Sequence, residues 1–214
     1  MRDPVRPVDL PAAATLCRDT LLPWADRDWS VPAGDLTWSC RRTLDHIINV
    51  QLFLAANAAM RSTSRVPPPR NDDPDEDVPT LLETVVATAT MQERICAGMG
   101  PDDRGFHPAG QADAEGMRAQ CTAEILQHTF DIATGLGEAF EPPQDLCDRV
   151  VARLFPWAPD AAECPDRWLV LLWCVGRIAL PDRPRLESDW WIQAAPLVEW
   201  DGTRRVRTMP PAWR

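Results

Sequence analysis

Residues 123–137, AEILQHTFDIATGLG, decide how this chain is read. Glu124 and His128 stand four positions apart, and a helix brings such a pair onto one face, here flanked by Ile125, Leu126 and Phe130. The helical pattern reaches back to about Ala114, with Gly135 and Gly137 as candidate stops. A glutamate turned into a core is costly unless it is paired, protonated or bound to a metal. At a surface, the same ExxxH pair would need no metal at all.

Outward from that stretch, the only other well-embedded histidine is His46, in TLDHIINVQLFLA (residues 43–55), with Val50 and Phe53 on nearly the same face. His46, Glu124 and His128 can close on one divalent metal and leave coordination positions open. The helix holding His46 is expected to start with Thr37 as its cap and to run to Met60. Its apolar residues are spread too broadly for one surface stripe, which implies neighbours on several sides. A first helix is expected from Asp9, as cap, to Ala25, with Pro23 kinking or ending it. A third follows in residues 80–100, TLLETVVATATMQERICAGMG, after a polar, proline-rich connection over residues 61–79. Residues 101–113, PDDRGFHPAGQAD, read as a polar loop in which His107 is solvent-exposed.

Four long helices predict an all-α four-helix bundle, an architecture in which facing helices place ligands in the core. Beyond it, a shorter helix is expected at Gln144–Leu154 and an apolar one over RWLVLLWCVGRIAL, residues 167–180. Trp190, Trp191, Trp200 and Trp213 follow in a segment of weak periodicity. Large indoles are expensive to leave in water, so this tail is expected to dock on the body or, in a homodimer, on a second copy. The expected division is a helical domain over residues 1–180 and a docked tail over 181–214.

Composition restricts the partners. Acidic residues outnumber basic ones for a net charge of −10, which argues against nucleic acid and anionic membrane surfaces. All 22 basic residues are arginine, so Schiff-base chemistry on lysine is excluded. Seven dispersed cysteines without CxxC spacing, and a start lacking an apolar signal segment, fit reduced thiols in the cytoplasm. No apolar run reaches the roughly 20 residues needed to cross a bilayer.

Three further residues bear on chemistry. Cys121, three positions before Glu124, is either a fourth ligand or nucleophile, or a small core residue. Asp131, three after His128, either orients that imidazole by a hydrogen bond or lies on the helix surface. Arg177 either binds a carboxylate of substrate or thiol, or caps the carbonyls ending its helix.

Taken in order, Thr37-Trp38, Leu44-Asp45-His46, Glu124, His128, Asp131, Ala133, the glycines at 135 and 137, and Gly176-Arg177 form a pattern over about residues 10–180. That pattern resembles the maleylpyruvate isomerase N-terminal family of actinobacteria, itself akin to the DinB-like metal-binding four-helix bundles. Thr129 and Phe130 stand where the family typically has glycine and tryptophan. The resemblance implies one divalent metal on His46, Glu124 and His128; two nitrogens and one oxygen are compatible with zinc first, and nickel, iron and manganese also fit these ligands. It also implies mycothiol or another small thiol as cosubstrate and an electrophilic metabolite as substrate. Retained addition would give an S-transferase; bond rotation and elimination would give an isomerase. The chain lacks the large C-terminal extension of the two-domain isomerase, which points away from maleylpyruvate itself. The alternatives are metal-dependent hydrolysis, with water in place of the thiol, and a non-catalytic metabolite-binding bundle.

Overall fold

In the computed structural model, which describes residues 2–67, 75–187 and 190–207, four long helices form the core. They are α1 (Asp9–Leu21), α2 (Cys40–Ala59), α3 (Val78–Ala97) and α4 (Ala114–Gly135). Helices α1 and α2 each pack against both α3 and α4. Two shorter helices, α5 (Gln144–Leu154) and α6 (Arg167–Cys174), pack on each other, and α5 also packs on α4. The result is the expected four-helix bundle with additional C-terminal helices. Part of the 61–79 connection and Trp213 of the tail lie outside the described residues.

Local chemistry accounts for the boundaries. Asp113 and Asp77 cap α4 and α3 by accepting the amides of Gly116 and Thr80 at 2.7 Å. Helix α4 ends in a Schellman turn: Gly137 has φ +79°, its amide reaches Thr134 O at 3.1 Å, and Glu138 N reaches Ala133 O at 2.8 Å. Gly135, the other candidate stop, is still helical. A Cβ there would lie 2.3 Å from Pro32 O and 2.8 Å from Cys40 Sγ, so this glycine lets the loop before α2 sit against the helix.

Three expected boundaries are corrected. Helix α2 is capped by Ser39, not Thr37, with Arg42 N donating to Ser39 Oγ at 3.2 Å. The preceding residues fold back on themselves, Ala33 N to Trp38 O at 2.9 Å and Cys40 N to Val31 O at 2.8 Å, and these bonds are incompatible with an earlier start. Asp9 is the first residue of α1 and not its cap, and its carboxylate is held by Arg149 of α5 at 2.8 and 2.9 Å. Helix α6 stops at Cys174 well short of Leu180, because Gly176 at φ +68° closes a second Schellman turn, with Arg177 N on Leu172 O at 2.8 Å.

The loop between α3 and α4 is not wholly irregular. Gly105–His107 (β1) and Gly110–Ala112 (β2) form an antiparallel hairpin. A Cβ on Gly105 would fall 2.9 Å from Ala58 Cα and from Asn57 O, so the hairpin sits directly on the end of α2. Phe106 meets Phe53 edge to face at 6.4 Å.

The chain after α6 crosses the bundle near the N-terminus of α4. Fully buried Arg153 of α5 donates to Gln193 O at 2.8 Å, Ala194 O at 3.1 Å and Asp113 Oδ1 at 2.6 Å, and Gln193 N donates to Leu154 O at 2.8 Å. Trp190, Ile192 and Ala194 are buried, and Trp190 lies against Phe155 at 6.2 Å. Among the described residues no helix is long and apolar enough to cross a membrane. Six of the seven cysteines are buried, Cys164 being the partly exposed one, and none is in a disulfide.

Candidate metal centre

Helix α4 is buried on nearly every side, yet its buried set includes Arg118, Thr122, Gln127, His128 and Asp131. Polar groups in such a position must find partners inside the protein. Arg118 does so with Glu93 of α3, Nη2 to Oε1 at 2.8 Å, and Thr122 with its own helix, Oγ1 to Arg118 O at 2.9 Å. The remaining polar groups gather around one point where α4 faces α2.

At that point the ligand atoms of His46, Glu124 and His128 lie within 4.8 Å of one another. Glu124 Oε2 is 3.2 Å from His128 Nε2, one helical turn on, and 3.5 Å from His46 Nε2 across the interface. The two imidazoles are perpendicular, centroids 5.0 Å apart, and the Trp38 ring stands against His46 at 4.9 Å. The other oxygen, Glu124 Oε1, accepts from Gln120 Nε2 at 2.7 Å, while among the described residues no donor but the two imidazoles approaches the buried Oε2, and neither is aligned on it as a regular hydrogen bond.

A chain of charges sets the orientation of His128. Its Nδ1 is 2.8 Å from Asp131 Oδ2, and Arg177 grips the same carboxylate with Nε on Oδ1 and Nη2 on Oδ2, both at 2.8 Å. Arg177 also donates through Nη1 to Val175 O at 2.9 Å. The carboxylate requires the proton on Nδ1, so in the neutral ring the Nε2 lone pair faces Glu124 and His46.

Burial alone would lower the pKa of His128, but Asp131 and Glu124 outweigh it and leave it raised. Burial depresses His46, and Glu124 only partly offsets this. Glu124 would be raised by its own burial, yet His128 and His46 hold it well below the usual carboxylate range. Asp131, also pushed up by burial, is brought below its ordinary value by Arg177 and His128. Cys121 is fully buried and its thiol is pushed up by that burial, which makes it a poor nucleophile.

The cluster opens onto a cavity of about 200 Å³. Val50 and Phe53 of α2, Phe155, and Trp190, Trp191 and Ile192 of the tail supply apolar wall. Gln120, Gln127, His107 and Arg207 also line it, and the Arg207 guanidinium lies over the Trp191 ring at 3.8 Å. His107 is thus a correction: it is 9% exposed and faces the site, because the hairpin folds back onto α2. The tail's contribution is likewise missing from the sequence reading. The only hint was the density of tryptophan after residue 189.

The donor set suits a divalent ion. Two imidazoles and a carboxylate are ordinary zinc ligands, and the buried Glu124 Oε2, with no aligned donor among the described residues, faces both Nε2 atoms where an ion would join all three. An all-α bundle carrying a buried His–Glu–His cluster on two facing helices is consistent with the DinB-like class of metal-binding four-helix bundles. No protein-family model matches the chain, and no curated protein or solved structure does either.

Proposed function

We propose that this protein is a metal-dependent enzyme that holds one divalent ion, zinc first among the candidates, on His46, Glu124 and His128. On this reading it uses the ion to join a small thiol to an electrophilic metabolite, or to isomerise the metabolite through such an adduct. The observation that carries the metal reading is the convergence of three ligand atoms from two facing helices within 4.8 Å around a buried carboxylate oxygen. Support for a thiol, mycothiol among them, comes from the order and identity of the motifs from Thr37 to Arg177.

Bound there, the ion would supply Lewis acidity that favours the anionic form of a thiol or water. The chain's own residues do the rest. Asp131 and Arg177 fix the tautomer and tilt of His128, so Arg177 acts through Asp131 in place of gripping substrate directly. Gln120 holds the second oxygen of Glu124 and keeps that carboxylate from rotating away. Phe53, Phe155, Trp190 and Trp191 give the cavity an apolar wall, and the lower local dielectric beside it strengthens charge interactions at the cluster. About 200 Å³ lies below the common range for ligand pockets and suits a small metabolite.

Elemental analysis of purified protein is expected to give one metal per chain, lost in His128→Ala and His46→Ala while helical content is kept. A mass-resolved assay of the metal-loaded chain with mycothiol and a panel of electrophiles is expected to yield conjugates or isomers. Metal-dependent hydrolysis without thiol binding would replace the thiol reading. Metabolite binding with no turnover would make the bundle a binding module.

A further inference from the structure

His107 lies outside the His–Glu–His cluster and enters the same cavity from a different element. The hairpin that carries it is fixed on one side by Gly105 against α2 and on the other by the pairing of His107 with Gly110, whose φ of +128° is open only to glycine. Within this turn the Ala109 amide donates to His107 Nδ1 at 3.0 Å.

A backbone amide can only donate, so Nδ1 is the acceptor and carries no proton. In a neutral ring the proton then sits on Nε2. Burial pushes this imidazole down to about 4, which agrees with a neutral ring at physiological pH. Nε2 is the ring nitrogen farthest from the backbone, and the ring lines the cavity. The bond to Ala109 is the ring's one hydrogen bond among the described residues. A donor of fixed tautomer thus borders a largely apolar space, where an unmade hydrogen bond is costly and a matching acceptor is favoured. The same tautomer removes His107 from metal binding, since neither nitrogen offers a lone pair: one accepts from Ala109 and the other holds the proton.

We propose that His107 is a ligand-contacting residue whose Nε2–H donates to a carbonyl or carboxylate oxygen, so that the cavity selects small molecules with an apolar body and such an oxygen. This goes beyond the metal reading and does not depend on it. The oxygen subsite is formed by the hairpin, and the His–Glu–His cluster by α2 and α4.

The test uses the full chain after chelation, so that failure here is separate from failure of the metal or thiol reading. Long-range ¹H–¹⁵N correlation of the unaltered protein is expected to show the Nε2–H tautomer of His107 at neutral pH. Acetophenone and α-methylstyrene, which share a shape but differ by a carbonyl oxygen, are the probes. Acetophenone is expected to shift the Nε2 resonance and to bind about two- to tenfold tighter, the range of one neutral hydrogen bond. His107→Phe is expected to bring that ratio to about one, and His107→Gln, which keeps an N–H donor, to retain part of it. An Nδ1–H tautomer, an Nε2 signal unmoved at saturating acetophenone, or a preference that survives in His107→Phe would overturn the proposal. So would failure of both probes to bind. The tautomer and resonance measurements need no variant and remain decisive if a substitution disturbs folding.

Discussion

Replacing Asp131 by asparagine tests the reasoning about the centre most severely. Asp131 is 1% exposed and accepts three bonds at 2.8 Å, two from Arg177 and one from His128 Nδ1. Asparagine keeps the shape but removes the charge, and its amide NH₂ must face a donor. Arg177, itself buried, is left without a counter-ion, a situation that costs about 3–5 kcal/mol. With a urea slope of about 2 kcal/mol per M, the unfolding midpoint should fall by about 1.5–2.5 M. Losing the carboxylate also frees His128 to move its proton to Nε2, so metal affinity should fall about 10–100-fold. Urea titration followed by circular dichroism and a competitive zinc titration measure the two effects. Asp131→Asn/Arg177→Met should recover much of the stability, since an apolar replacement of a buried pair is often neutral, but not the metal affinity. A midpoint within about 0.3 M of the parent, a change ordinary for a surface substitution, together with unchanged zinc affinity, would refute the account.

Other outcomes follow from the same geometry. Between pH 6.5 and about 4 the unfolded His107 takes up a proton that the folded one refuses, so it contributes stability at neutral pH that is lost as pH falls through that window. The loss is of order 3 kcal/mol, and comparing stability against pH for the parent and His107→Phe should isolate it. Gly116→Ala should destabilise the protein by about 1–3 kcal/mol despite alanine's better helix propensity. The new Cβ would fall 2.4 Å from Ala194 O and 2.6 Å from Arg153 Nη2, and faster hydrogen exchange over residues 190–196 is the signature to look for. His46→Ala should lower metal occupancy without unfolding the bundle, because apolar packing and not the ion holds its helices; calorimetry beside elemental analysis would check this.

What was legible in the sequence is what local rules control. Helix α5 shows as Gln144–Leu154 because prolines close off the chain before it. The Glu124–His128 pair is legible because four residues on a helix share a face, whatever surrounds it. His46 belongs to another helix, and its approach to that pair depends on how α2 packs on α4, which spacing within either helix does not encode. The Ser39 cap was missed because the chain before it closes a loop through backbone bonds, a competitor that a hydroxyl at Thr37 does not reveal. His107 was misread for a similar reason. Its strand is three residues long, too short for alternation to show, and the cavity it enters is completed by residues more than eighty positions later. Arg177 was legible as either a cap or a ligand binder. Its guanidinium in fact divides between Val175 O and Asp131, and only the tertiary fold brings Asp131 there.

The burial of the cysteines has a consequence for self-reactivity. The thiolate is the form of cysteine that reacts with electrophiles, so a raised thiol pKa protects a protein from alkylation. Here burial lifts Cys17 and Cys147 to about 12 and Cys40 and Cys96 to about 11, and it also raises Cys121 and Cys174 well above the ordinary thiol value. Cys121 is three residues from Glu124, yet its sulfur is kept protonated and enclosed. Iodoacetamide applied to the native chain should therefore mark Cys164 and spare the other six. A reactive compound entering the cavity would meet no cysteine among its lining residues, so under the proposed function a thiol delivered from outside would have no internal competitor there.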